Sequence, residues 1–207
     1  MNGIEEDVID LYPAIDAAGS AGYYNGGPEL GISIMLDGIT AKKRSELETL
    51  RRRQTELFNR EINRIKKEGL KTTKNIQWFD LKNRFSPMGV KTVGLFCEEI
   101  AAMDFTDTNK YIAGFQAIPG DIPGFGFLET GQTKVSMRCP KNLAREISVK
   151  KTAGIDELLP RAAHVFGGFA DACHQSAGAA VIEKGREEAL IHEIQAILDT
   201  NGGGTHG

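Results

Sequence analysis

A chain of 207 residues, 41% hydrophobic and 26% charged, can bury a real core as one large or two small domains. Its formal net charge of −3 excludes a polycation, so any contact with nucleic acid must come from a local basic patch. No run of apolar residues is long enough for a membrane helix, and the N-terminus, MNGIEEDVIDL, is acidic; this excludes a transmembrane span and argues against a signal peptide, and no membrane partner is expected. Cys97, Cys139 and Cys173 are far apart and odd in number, which reads as reduced thiols of a cytoplasmic protein rather than a disulfide framework. No Cys-x-x-Cys or His-x-x-x-His spacing occurs, so no zinc site is legible.

Residues 1–38 are acidic and then rich in Gly and Pro, a density that marks turns. Glu29 to Leu36 is short and apolar, and periodicity leaves helix and strand both open. Thr40 to Glu68 is the clearest helix: Thr40 suits an N-cap, Gly69 a stop, and Leu47, Leu50, Leu57, Phe58, Ile62 and Ile65 form one apolar stripe. At ~1.5 Å per residue it is roughly 43 Å long, enough to join two domains. Its other face is basic, densest at Arg51 to Arg53. That face reads as either a solvated surface or a track for a nucleic-acid backbone.

Lys71 to Asn75 is polar and is taken as the domain boundary. Residues 1–70 are then a helical connector from a preceding domain, 71–200 an α/β domain and 201–207 a flexible tail. Strands are expected at Ile76–Leu81, Tyr111–Ile118, Thr133–Cys139 and Gly178–Ile182, and helices at Val93–Met103, Gly154–Phe166 and Gly185–Leu198. Pro160 predicts a kink or a late start in the second of these helices. Pro119 to Gly126 is a turn region. The order gives an α/β (α+β) class, a small mixed sheet covered by helices and preceded by the long helix.

Val165 to Val181, VFGGFADACHQSAGAAV, is the most unusual stretch. Gly167 and Gly168 allow positive φ and could aim successive N–H groups at an anion, with His174, Gln175 and Ser176 adding side-chain donors. The alternative reading is a tight helix-to-strand turn whose small residues serve packing.

This stretch resembles the Gly-Gly…His…Ala-Gly signature of the DHH-associated domain, the second domain of DHH phosphoesterases such as the RecJ nucleases, although Phe169 follows the Gly pair where His is usual. Ile15 to Gly22 resembles the RecJ segment Ile-Asn-Ala-Ala-Gly-Arg-hydrophobic-Gly, with Asp16 for Asn and Ser20 for Arg. Arg84-Phe-Ser-Pro-Met-Gly89, continuing through Gly94 to Ala101, is similar to the RecJ His-Pro-Gly-Val loop and helix. Lys134-Val-Ser-Met-Arg138 is similar to the family strand ending in Ser-x-Arg. The four segments stand in family order, cover most of the chain, and look most like the archaeal RecJ-like branch.

The resemblance implies a face on which Lys134, Ser136, Arg138, Gly167, Gly168, His174 and Gln175 hold the phosphates of a single-stranded nucleic acid, flanked by Arg84 and Lys91. It also implies Mn²⁺ or Mg²⁺ in a DHH domain. This chain has no Asp-His dipeptide, and of its histidines (His164, His174, His192, His206) only His174 falls in a plausible site. A two-metal hydrolase needs several converging carboxylates and histidines. The chain therefore reads as catalytically empty, with no cofactor of its own: a substrate-positioning module of a RecJ-like exonuclease, completed by a DHH domain in cis or trans. Two alternatives remain open. One is a non-catalytic scaffold or partner module of a replication complex with factors such as GINS; the other is a DHH relative acting on nanoRNA or cyclic dinucleotides.

Overall fold

The computed structural model describes residues 4–202. In chain order the elements are α1 (Ile4–Ala21), α2 (Gly27–Asp37), α3 (Ala41–Glu68), β1 (Lys71–Thr72), β2 (Ile76–Asp80), α4 (Thr92–Ala101), β3 (Tyr111–Ala117), β4 (Asp121–Ile122), β5 (Gly126–Phe127), β6 (Gln132–Arg138), α5 (Lys141–Ser148), α6 (Ile155–Val165), β7 (Phe169–Cys173), β8 (Ala177–Glu183) and α7 (Glu187–Gly202). They fall into two compact units. One comprises the chain up to Glu61 with Arg84–Thr92 and Pro119–Glu129; the other comprises Ile62–Asn83, Val93–Ile118 and the chain from Thr130.

In the first unit, the segment expected to be turns is mostly helix. α1 runs through Pro13 and Gly19 and ends only at Ala21. The reason is its alanine content: alanine is the best helix former, and Ala14, Ala17 and Ala18 bury their small faces against Ile34 of α2 and Leu47 of α3. Gly27 is required at the crossing, since a Cβ there would stand 2.1 Å from the Ala18 carbonyl oxygen. Ser20, which stands where the RecJ segment has Arg, is buried. Its Oγ donates to the Asp16 carbonyl (2.7 Å), and its own carbonyl accepts from the Gly89 amide (2.8 Å). Residues 84–92 are thereby tied to α1, with Lys91 also paired to Asp16. Phe85 stacks on Phe58 of α3 at 5.1 Å.

The second unit is built on a six-stranded sheet in the order β1-β2-β3-β6-β8-β7. The β2–β3 pair is parallel and its crossover carries α4; every other neighbouring pair is antiparallel. One sheet face carries the main core: Trp78, Phe115, Val135, Met137 and Ile182 pack against Leu143 of α5, Leu158 and Leu159 of α6, and Ile191 and Ile194 of α7. The opposite face holds α4, with Phe96 edge-on to Phe79 at 5.3 Å. The expected strands and helices of this unit are all present, and Pro160 lies inside α6. Three elements are additional. β1 occupies the supposed linker, α5 follows Pro140, and β7 occupies the middle of the Gly-rich stretch. α7 continues through Asn201 and Gly202, so the start of the expected tail is helical. Residues 203–207, with His206, lie outside the described residues.

Candidate phosphate-binding face

The pleat of β6 divides its side chains. Val135 and Met137 enter the core beneath α5 to α7, while Lys134, Ser136 and Arg138 project from the other face. Their neighbours on β8 are Val181 opposite Lys134, Ala179 opposite Ser136 and Ala177 opposite Arg138. The two alanines leave a shallow floor beside the polar row. On α4, Gly94 makes room: a Cβ there would lie 3.0 Å from Nη2 of Arg138.

Each cation of the row is held by a carboxylate. Lys134, almost buried, pairs with Asp171 of β7. Arg138 donates from Nε to Glu98 of α4 (3.0 Å) and from Nη1 to Ser136 Oγ and the Met137 carbonyl (both 2.8 Å). Ser136 Oγ in turn donates to the Gly178 carbonyl at 3.4 Å. The carboxylates are the wetter partners: the Lys134 and Arg138 side chains are 11% and 18% exposed, against 56% for Asp171 and 60% for Glu98. The cations are therefore held in the sheet, while their counterions sit at the water boundary. Beneath them, burial pushes the Cys97 thiol up to about 12, against the opposing pull of Arg138, so it is a packing group.

The other residues named from sequence take different places. The Gly167 N–H donates to the His164 carbonyl (3.1 Å) and the Gly168 N–H to the Ala163 carbonyl (2.9 Å). With Gly167 at φ +65, they close the C-terminus of α6 in a Schellman-like turn. Both N–H groups are committed to the helix, which favours the helix-to-strand reading over an anion concavity. Gly168 is small because a Cβ would meet the Val181 carbonyl at 2.3 Å, where β7 joins β8. His174 is exposed at the β7–β8 turn, and its N–H closes that turn on the Ala177 carbonyl at 2.7 Å. It is thus two strands across the sheet from Arg138, about 10 Å away at ordinary strand spacing. The Gln175 carbonyl accepts from the Ile155 amide at the start of α6 (3.0 Å), and its residue lines a separate wide cleft with Lys74, Asn109, Lys150 and Lys151. Arg84 belongs to the first unit, where its Nε donates to the buried Glu61 at 2.9 Å. Sequence reasoning missed Asp171 and Glu98. Asp171 was visible inside the Gly-rich stretch, but nothing in the sequence pairs it with Lys134.

Among the described residues, no group of three or more His, Cys, Asp or Glu side chains is placed to hold a metal ion. No helix among them is long and apolar enough to cross a membrane.

No family model matches the chain, and no curated protein matches it significantly. Among solved structures it is similar to the DHH domain of a member of a ribosomal-protein family, with 11% identity over 89% of this chain and 41% of the other, at a TM-score of 0.50. It is also similar to a pGpG-specific phosphodiesterase from Vibrio cholerae (16% identity, 88% and 57% coverage, TM-score 0.45). A third neighbour is the C-Ala domain of alanyl-tRNA synthetase from Aquifex aeolicus (8% identity, 62% and 95% coverage, TM-score 0.43). The fold is similar to that of the DHH-domain structure, and the chain spans about half the length of the first two of these structures.

Proposed function

We propose that this chain is a phosphate-binding, substrate-positioning module of a RecJ-like phosphoesterase that acts on single-stranded nucleic acid. The observation that carries the reading is the β6 row, in which Lys134, Ser136 and Arg138 share one sheet face beside the small floor of Ala177 and Ala179. In the free protein Asp171 and Glu98 occupy the anion positions. A bound strand supplies phosphate oxygens in their place: Lys134 meets one as a point charge, and Arg138 meets two with its planar fork. Cation release from the strand then adds to the affinity. Metal chemistry, with Mn²⁺ or Mg²⁺, belongs in this reading to a separate DHH domain, in cis or in trans; the residues of this chain bind and orient.

Titration of the chain against a fluorescent 5′-phosphorylated single strand, read by anisotropy, tests this. Lys134→Ala and Arg138→Ala are each expected to weaken binding about tenfold, the loss of one charge-assisted contact worth ~1.5 kcal/mol. Unchanged affinity in both variants removes the β6 row as the binding face. Competition by a dinucleotide that exceeds that of longer strands reassigns the ligand to a small phosphodiester. Absence of strand binding at low salt leaves the scaffold reading, with a partner such as GINS, as the one to pursue.

A further inference from the structure

The first unit contains a second cleft, of about 440 Å³, that the phosphate-binding reading does not use. It is bounded by Tyr24 from the α1–α2 turn, Glu29 at the start of α2, Ser86 and Pro87, and the β4–β5 hairpin from Pro119 to Gly126. Its apolar lining comes from Pro87, Pro119, Ile122, Pro123 and Tyr24, whose ring is met edge-on by Tyr23 at 4.8 Å. Its charged groups are all acids: Glu29 and Asp121 line it, and no Lys or Arg among the described residues does. Asp121 is close enough to Tyr24 to help hold the phenol above its ordinary pKa, after burial and Tyr23.

A cleft lined by an aromatic residue, apolar groups and two carboxylate acceptors is complementary to a planar cation rich in N–H donors, and its two acids repel phosphate. The guanidinium group meets each of these conditions: it stacks on a ring, donates in a fixed fork and neutralises carboxylates. The surroundings indicate that the arginine belongs to a protein. The same hairpin exposes Phe125 (75%) and Phe127 (71%), with Leu128 (52%) beside them. Apolar groups so exposed next to a polar cleft mark a contact surface. The hairpin is also built to keep its shape. Gly124 and Gly126 supply its positive φ values, and Gly120 leaves room for the Phe127 ring, which would lie 2.6 Å from a Cβ there. We infer that this cleft and hairpin dock a protein segment that presents an arginine side chain, flanked by apolar residues, between Tyr24 and the carboxylates of Glu29 and Asp121. The inference is independent of the phosphate-binding reading.

The test is an amide-shift titration of the full ¹⁵N-labelled chain with acetyl-Leu-Arg-Leu-amide, followed at Gly26, Ile122 and Gly126. Saturable shifts confined to the cleft and hairpin are expected. The isosteric citrulline peptide should bind at least tenfold more weakly, and so should the arginine peptide to a Glu29→Gln/Asp121→Asn chain whose spectrum is otherwise unchanged. Phe127→Ser should weaken both arginine and citrulline peptides alike. Equal binding of arginine and citrulline peptides overturns the proposal, as do shifts scattered over the molecule. Guanosine perturbing the same amides at lower concentration than the peptide overturns it in favour of a nucleobase.

Discussion

Burial in the second unit makes several titratable groups depend on the fold. It pushes the thiols of Cys97 and Cys139 from 9.0 up to about 12, and the Tyr111 phenol from 10.0 up to about 12. In the unfolded chain these groups lose their protons near their ordinary values, while in the folded protein they keep them. Above pH 9 the unfolded state binds fewer of these protons than the native state, so the stability these groups contribute falls as pH rises toward 12 and is constant between pH 7 and 8. Urea midpoints at pH 7, 8, 9.5 and 10.5 should show this, and Cys139→Ala should flatten the decline. A rise in stability above pH 9 would contradict the burial of these groups. The same environment explains why the thiols are not reactive sites: the nucleophile is the thiolate, which burial suppresses.

At the scale of elements, α3 and the segment after β2 are joined by a pair whose partners differ in exposure. Glu61 is 2% exposed and Arg84 33%. Removing Arg84 leaves a buried carboxylate with one fewer cation. Arg84→Ala is therefore expected to destabilise by ~2 kcal/mol or more, and adding Glu61→Gln should recover part of that loss. Chemical denaturation of the single and double variants measures the coupling, and strict additivity would show that the pair does not act as one. The result also bears on function, because the family resemblance implies a phosphate-flanking role for Arg84. Period-two alternation made β6 legible, and 3.6-residue periodicity did the same for α3 and α7. The same signals failed at α1 and β7. In α1, Gly and Pro outweighed the alanines, although packing against α2 rewarded the alanines. In β7, Phe-Ala-Asp-Ala-Cys has little strand preference, and pairing with β8 alone makes it a strand.

Over the whole molecule, the net charge of −3 hides a separation: α3 carries ten Lys and Arg against five Glu, so the rest of the chain is strongly acidic. Strand binding by an acidic protein must be local and must fall with salt. If the β6 row contributes, the log–log salt slope should become shallower by about 0.7 for each of Lys134 and Arg138 removed. Equal slopes for wild type and double variant would place the phosphate contacts elsewhere, with the exposed arginines of α3 as the first alternative. The sequence by itself determined the α/β class, the long basic helix, most strands of the sheet and the residues of the β6 row, because periodicity and residue chemistry are local properties. Only the tertiary structure decided which groups meet. It set Asp171 against Lys134 and Glu98 against Arg138, committed the Gly167 and Gly168 N–H groups to the end of α6, placed Gln175 on a separate cleft, and paired Arg84 with Glu61. Those outcomes depend on strand order and helix packing, which join residues tens of positions apart and leave no trace in local sequence.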